Sequence, residues 1–211
     1  MCAIPVVAGA RWRVYPWVMP LPQATRPDAT LADLESVPDG HNGEIIDGEL
    51  IVSPRPAPRH GVAATSLGIS LGGPFDHGRD GPGGWWIIHE PELHLAVDPR
   101  TKAVVPDVAG WRRERMPHLP ETAHFALAPD WVCEVLSPRT AALDRVRKMR
   151  FYARAGVSQA WLVDPLAETL EVFRRTEDGA WLLVATHEGA DQVRAEPFAA
   201  IELDLALLWR R

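Results

Sequence analysis

Cysteine is scarce in this sequence of 211 residues, which contains only Cys2 and Cys133. Two cysteines cannot build a structural zinc site, so this class of small metal-stabilised fold is excluded. Cys133 lies in the apolar segment WVCEVL, where an inert buried thiol is expected. The pair is compatible with a reducing compartment.

The sequence also lacks a long uninterrupted apolar run near its start. The stretch from Ala3 to Ala10 is broken by Pro5 and Gly9, and no basic region precedes it. Such a segment predicts neither a secretory signal nor a membrane span. We therefore expect a cytoplasmic protein that does not bind a membrane.

Lysine is the third scarcity, because 20 of the 22 basic residues are arginine and the others are Lys102 and Lys148. The bias itself carries no functional meaning, but it makes each lysine unusual. The net charge of −6 and the pI of about 5.7 argue against a protein that coats nucleic acid nonspecifically. They leave room for a local basic patch.

Length and a hydrophobic content of 46% predict one globular domain, residues 29–211, after an N-terminal arm, residues 1–28. The arm contains five prolines among Trp12, Tyr15 and Trp17. Aromatic residues are rare in disordered segments, so we expect an arm that packs on a surface or on a partner subunit. It offers a contact for a possible homodimer.

The first part of the domain reads as two helices and a hairpin. TLADLESVPDG predicts a short helix with Thr30 as N-cap and with Leu31 and Leu34 facing inward. GEIIDGELIVSP predicts a hairpin around an Asp-Gly turn. A second helix is expected over residues 60–71.

Strands predominate in the second part. We expect strands over 85–89, 92–97, 103–111, 131–136 and 157–163, and a hairpin of 170–174 with 181–186. A helix over 140–155 ends at Gly156, and IELDLALLW predicts a closing helix. The segment 111–130 is long for a plain connection, so we expect a lid or binding loop. The fold class is α/β, with a mixed sheet flanked by helices.

Two of these apolar segments each carry one acidic residue, Asp107 in VVPDVAGW and Glu134 in WVCEVL. A buried carboxylate is costly unless it is paired or bound to a metal. If the strands are neighbours, both carboxylates reach one point and can bind a hard divalent cation, Mg²⁺ or Mn²⁺. The carbonyl of Val135 is a candidate third ligand.

Lys148 follows one helix later and shares a helical face with Asp144 and Tyr152. A lysine beside a metal-bound water can position the nucleophile and stabilise charge on a phosphate. These groups suit phosphodiester hydrolysis. The alternative is a surface lysine paired only with Asp144.

The order and spacing of several motifs resemble a known family. They are GEIIDGELIVSPRPAPRHG, PDVAGW, APDWVCEVLSPRTAALDRVRKMRFYARAGVSQAWLVDP and LEVFRR. Over residues 30–208 the chain resembles the Uma-two family, which is of restriction endonuclease type within the PD-(D/E)XK nuclease superfamily. The resemblance implies a restriction-endonuclease-like core, a divalent metal and a DNA substrate.

The resemblance also implies roles for individual residues. Asp107 matches the Asp of the PD motif, and Glu134 matches the acidic residue of the second motif. The position that carries lysine in the superfamily pattern is Leu136 here, so Lys148 becomes the carrier of that function. Glu44 resembles an upstream glutamate that assists metal binding. His60 falls at the start of the second predicted helix, and its imidazole chemistry makes it a candidate phosphate contact or proton carrier. The equal alternative is a helix-terminal histidine with a local hydrogen bond.

Other polar residues have weaker claims. His89 and His94 fall on opposite faces of a strand, which disfavours a shared metal, while Glu90 and Glu92 are candidates to line the site. Two or three of the arginines around Lys148 are candidate phosphate contacts, from the set Arg139, Arg145, Arg147, Arg150 and Arg154. Tyr152 and Trp161 are expected to pack in the core.

A second function stays open at this point. A domain with this fold that has lost turnover would be a noncatalytic module that binds nucleic acid or protein. Measurements of metal binding and of DNA cleavage distinguish the nuclease from the noncatalytic module.

Overall fold

A computed structural model describes residues 28–54 and 57–210. The predicted arm, residues 1–28, lies outside the described residues except for its last position. Among the described helices, none is long and apolar enough to cross a membrane.

The described chain opens with a short helix and a hairpin: α1 (Leu31–Leu34), β1 (His41–Ile46) and β2 (Glu49–Pro54). The backbone N–H and the hydroxyl of Thr30 both donate to Asp33, so the predicted cap is confirmed. The Asp47-Gly48 turn has positive φ at both residues, as a tight hairpin turn requires. Leu31 is 43% exposed, so the prediction that it faces inward was wrong.

A six-stranded mixed sheet forms the centre of the domain, as predicted. Its spatial order is β3-β4-β5-β6-β7-β8, and only β5 and β6 run parallel. The strands are β3 (Trp85–His89), β4 (Val108–Arg112), β5 (Trp131–Val135), β6 (Gln159–Asp164), β7 (Thr169–Arg175) and β8 (Trp181–Glu188).

The predicted strand over 92–97 does not form, and the predicted strand over 103–111 is shortened at its start to β4, Val108–Arg112. Only isolated bridges join Leu93 to Val104 and to Phe125. Pro91 and Pro106 interrupt these segments, and proline cannot donate to a strand ladder. Asp107 therefore lies in a bend immediately before β4, and not inside a strand as predicted.

The helices pass in part through wider π-helical turns. α2 (Pro58–Leu71) continues into a π-helical segment, Gly72–Asp76. The predicted helix over 140–155 consists of a π-helical segment, Leu143–Lys148, followed by α3 (Met149–Ala155). It ends at Gly156, whose φ of 80° confirms the predicted C-cap.

The chain ends in two short strands and a single helical turn: β9 (Gln192–Val193), β10 (Leu203–Asp204) and a 3₁₀ turn, Leu205–Leu207. The predicted closing helix is thus reduced to one turn, although Leu205 and Leu208 are buried as its apolar pattern required.

The sheet separates two apolar cores. One face packs against α2 and the C-terminal segment through Leu67, Trp131, Cys133 and Phe198. The opposite face packs against α3 through a second set that includes Val132, Leu136, Phe151, Tyr152 and Leu162. Because side chains alternate along β5, Glu134 faces the same side as its neighbours Val132 and Leu136, toward α3.

Candidate active site

Glu134 lies in the central strand β5 and is only 2% exposed. The Tyr152 hydroxyl donates to its Oε1 at 2.5 Å, and the Lys148 ammonium lies 2.8 Å from the same oxygen. Tyr152 is fully buried, which confirms its place in the core. Tyr152 was expected only to pack in the core, but its hydroxyl also forms a hydrogen bond with the Glu134 carboxylate.

Lys148 lies at the junction of the π-helical segment and α3, and it is 3% exposed. Its Nζ is 2.8 Å from Glu134, 3.1 Å from Glu44 and 3.8 Å from Asp144. It also donates to the carbonyl of Val105 at 2.8 Å. The alternative of a surface lysine paired only with Asp144 is therefore wrong.

Glu44 reaches this cluster from the hairpin. Its Oε1 accepts a hydrogen bond from the backbone N–H of Val105 at 2.8 Å, in addition to the contact with Lys148. The residue is 8% exposed. The upstream glutamate thus joins β1, the segment before β4 and the lysine in one network.

Asp107 completes the set next to His60. The imidazole Nε2 lies 3.1 Å from Oδ1 of Asp107, and the backbone N–H of Val135 donates to Oδ2 at 2.7 Å. The Asp107 side chain is 17% exposed, more than that of Glu134. β4 and β5 are adjacent, as the prediction of a shared site required.

All five predicted catalytic residues line one cavity of about 720 Å³: Glu44, His60, Asp107, Glu134 and Lys148. Asp144, Glu90 and Leu136 line it as well. The hairpin, the start of α2, the bend before β4, strand β5 and the π-helical segment each contribute at least one of these side chains. The site is therefore assembled from distant parts of the sequence.

The charge of the lysine is well supported by its surroundings. Burial lowers the pKa of Lys148, but the carboxylates of Glu134, Glu44 and Asp144 outweigh burial and raise the pKa well above its ordinary value. Lys148 therefore stays protonated and acts as a hydrogen-bond donor and a positive charge. It does not act as a general base.

Burial shifts the pKa of the acids in the opposite direction, upward. Burial raises the pKa of Glu134 well above its ordinary value, although the charge of Lys148 opposes this rise. Burial also raises the pKa of Asp144 to about 6, against Lys148 and a hydrogen bond with Thr140. The cluster has more carboxylates than cations, and an added cation would relieve this excess of negative charge.

His60 responds to the same charges. Burial lowers its pKa, but the hydrogen bond and charge of Asp107, with the charges of Asp144 and Glu90, raise it above its ordinary value overall. Its second ring nitrogen, Nδ1, is buried without a hydrogen-bond partner among the described residues. The contact between Nε2 and Asp107 therefore orients the imidazole ring.

The donor chemistry fits a magnesium ion held partly by water. Within residues 28–54 and 57–210, no three or more His, Cys, Asp or Glu side chains are arranged to hold a metal by themselves. Mg²⁺ does not require such a cage, because it commonly keeps several waters and binds one or two carboxylates. Asp107 and Glu134 would supply those carboxylates.

Several other predicted contributors lie elsewhere. Glu92 contacts His94 at 2.5 Å, and His94 stacks on His124, away from the cavity lining. The predicted lid does not line the cavity: none of residues 113–129, all of them described, belongs to its lining, and most of them are exposed. Trp111 anchors this segment by donating to the carbonyl of Leu127.

The arginines near Lys148 are also largely occupied. Four of them form ion pairs with acidic side chains: Arg145 with Glu171, Arg147 with Asp47 and Glu49, Arg150 with Asp47, and Arg154 with Asp98. The expectation of two or three phosphate contacts in this set is not supported for these four. Arg139 alone of the set lines the cavity.

Two functional neighbours were not assigned to the site from the sequence. Asp144 and Tyr152 lie four residues before and after Lys148, and both are buried beside it. Their spacing of four residues places them on the same helical face as Lys148, and this is the sequence signal that could have assigned them to the site. Their contact with the acids could not be inferred, because it depends on how the helix docks on β5.

Comparisons with known proteins agree with this architecture. Residues 28–207 match the model of the Uma2 family, which has the description "Putative restriction endonuclease". A protein of Synechocystis sp. (strain ATCC 27184 / PCC 6803 / Kazusa), described as uncharacterized, is 26% identical over 153 residues, which cover 71% of this chain and 74% of the relative.

A solved structure shares the fold. It is a protein from Anabaena variabilis ATCC 29413 described as a "putative nuclease belonging to DUF820", with 21% identity and a TM-score of 0.67 over 86% of this chain and 97% of that one. The predicted restriction-endonuclease-like fold is thus confirmed. Because the family model spans most of the sequence, the chain belongs to the Uma2 family.

Proposed function

We propose that this protein is a Mg²⁺-dependent endonuclease that hydrolyses phosphodiester bonds in DNA, with Mn²⁺ as a possible substitute. The observation that carries the proposal is the convergence of Asp107, Glu134 and Lys148 at one cavity. Two carboxylates and a charged lysine in a shared cleft supply what this reaction needs.

Asp107 and Glu134 would hold the metal, with the carbonyl of Val135 and water as further ligands. When bound, the metal would polarise the phosphate and lower the pKa of a bound water. Lys148 would position the attacking water and stabilise negative charge on the phosphate. These roles would explain why Glu134 and a charged lysine are buried at this cavity.

Glu44 and His60 would assist from the edge of the cluster. Glu44 contacts both Val105 and Lys148, so it orients the ammonium. His60 contacts Asp107 and is positioned to carry a proton or to contact a phosphate oxygen. Neither residue needs to bind the metal for these roles.

Cleavage of labelled DNA, with and without Mg²⁺ or Mn²⁺, tests the proposal. Asp107→Asn and Glu134→Gln should each reduce the rate by more than about 100-fold, because each removes a metal ligand. Glu171→Gln is the matched control, since Glu171 pairs with Arg145 away from the cavity. Cleavage that persists in both ligand variants contradicts the proposal.

A noncatalytic binding module is the second candidate. The observation that favours it is the position of the Lys148 ammonium, which already contacts Glu134 and Glu44 and offsets part of their negative charge without a metal. This module would bind nucleic acid or protein in EDTA as well as in Mg²⁺, and it would cut none of the DNA substrates.

A further inference from the structure

We infer that the DNA bound by this site is single-stranded, so that an unpaired nucleotide enters the cavity while an intact duplex does not. The inference rests on the proposed function and names its class of substrate. Four observations support it: the depth of the acids, the size of the cavity, the chemistry of its walls and the engagement of the arginines.

The acids lie deep. Glu134 is 2% exposed and Lys148 is 3% exposed, and both belong to the cavity lining. A duplex presents its phosphates on the outside of a wide rod, and such a surface reaches a side chain at the bottom of a cavity less readily than a flexible single strand does. Enzymes that act on a base in a deep pocket take single-stranded substrate or extrude the nucleotide from the duplex, and a strand that enters this cavity meets the same geometric restriction.

The cavity has the capacity for a small part of a strand. Its volume of about 720 Å³ lies within the range of pockets that enclose a ligand of drug size, and a nucleotide is of this size. A stretch of duplex with its paired bases exceeds that capacity.

Much of the cavity wall is apolar, which suits an unstacked base. Eight apolar residues contribute to it: Pro54, Ala57, Pro58, Val105, Leu136, Pro138, Pro165 and Leu166. Asn42 and Ser53 add polar groups that could meet the edge of a base. A site for a bare phosphate would not need an apolar wall.

The arrangement of the arginines favours contact with only a few DNA phosphates. Four arginines on the helix that carries Lys148 form ion pairs with acids of the protein itself, as described above. Proteins that bind duplex DNA draw much of their affinity from Lys and Arg side chains that neutralise phosphates. Among the described residues that line the cavity, Arg59 and Arg139 are the arginines that could contact phosphates.

A cleavage assay with three forms of one labelled strand tests the inference. The strand is presented alone, in a full duplex, and in a duplex with a central unpaired bubble, each with Mn²⁺. The single strand and the bubble should be cut at least about tenfold faster than the duplex, because base contacts in the wall form only with unpaired DNA. Cuts in the bubble should fall in its unpaired segment.

Equal or faster cleavage of the full duplex overturns the inference and leaves the proposed nuclease intact. A site that prefers single strands but cuts no DNA is tested by binding. Fluorescence anisotropy measures the affinity of the Asp107→Asn variant for the same strand alone and in the duplex. If nothing is cut but the single strand binds at least about tenfold more tightly than the duplex, hydrolysis fails as the function while the preference for single strands stands. Equal or tighter binding of the duplex overturns it.

The apolar wall has its own test. Leu166 is 56% exposed at the cavity, so Leu166→Ala should fold normally and raise KM for the single strand at least about threefold, with little change in kcat. Leu182→Ala is the matched control, because Leu182 is 47% exposed on β8 and does not line the cavity. An unchanged KM in Leu166→Ala contradicts a role for the wall in holding the base.

Discussion

At the scale of single residues, the hydroxyl of Tyr152 is the smallest group with a testable effect. Tyr152→Phe removes a hydrogen bond to Glu134 in a fully buried position. We expect a loss of about 1.5 to 3 kcal/mol in the free energy of unfolding, the usual range for a bond to a charged group. Urea denaturation measures it.

The matched control removes a hydroxyl from an exposed site. Thr122 donates to the carbonyl of His124 on the surface, so Thr122→Val should change the free energy of unfolding by much less. If the two substitutions have equal effects, the Tyr152 hydroxyl does not support Glu134.

Lys148 is expected to matter for stability as well as for chemistry. Lys148→Met leaves Glu134, Glu44 and Asp144 buried without their cation, and breaking a buried ion pair in this way costs about 3 to 5 kcal/mol. Lys102, the only other lysine, donates to the carbonyl of Ala29 at 2.6 Å and serves as control. Lys102→Met should cost about 1 kcal/mol. Similar losses in both variants would show that Lys148 is not the centre of the cluster.

Asp144 should give stability a distinct dependence on pH. Burial raises its pKa from 3.8 to about 6 in the folded protein, so the folded state binds this proton more tightly than the unfolded chain does. The stability from this proton is present below pH 3.8 and is lost as the pH rises through about 6.

Asp144→Asn removes this titration, which makes the effect measurable. Between about pH 4 and pH 7, the stability of the unmodified protein relative to Asp144→Asn should fall by on the order of 2 to 3 kcal/mol. Asp80→Asn, in an exposed turn, is the control for the loss of one carboxylate charge. A constant difference between the unmodified protein and Asp144→Asn would refute the raised pKa.

At the scale of elements, Gly156 is the clearest determinant of a boundary. Its φ of 80° ends α3, and a side chain is strained in that conformation. Gly156→Ala should reduce the free energy of unfolding by about 1 kcal/mol. Gly61→Ala should raise it by about 0.5 to 1 kcal/mol, because Gly61 lies in α2 with open space around it. Thermal unfolding of both variants measures whether the first substitution lowers stability and the second raises it.

The elements also show where prediction from sequence succeeds. The hairpin around Asp47-Gly48 was predicted because both turn residues favour positive φ. The strand over 92–97 and the first half of the strand over 103–111 were predicted wrongly, because alternation of apolar residues does not reveal which backbone groups find partners beside Pro91 and Pro106. The π-helical turn over Leu143–Lys148 carries no pattern that distinguishes it from an α-helix.

At the scale of the whole molecule, the site depends on which strands become neighbours. Asp107 and Glu134 could be proposed as a pair because each acid interrupts an apolar segment. Their actual proximity follows from the adjacency of β4 and β5, which tertiary packing decides. The cavity and the engagement of the arginines depend on the folded assembly in the same way, so they lie beyond local sequence patterns.

The central claim is that Asp107 and Glu134 hold a divalent metal, and thermal unfolding with and without Mn²⁺ tests it most directly. A ligand that binds only the folded state adds RT ln(1 + [L]/Kd) to the free energy of unfolding, and this raises the midpoint of thermal unfolding. Mn²⁺ should therefore stabilise the unmodified protein and the Glu171→Gln control, while Asp107→Asn and Glu134→Gln should show little or no shift. If Mn²⁺ leaves the unmodified protein unchanged, and the two substitutions make it more stable by relieving repulsion between the acids, the metal site does not exist.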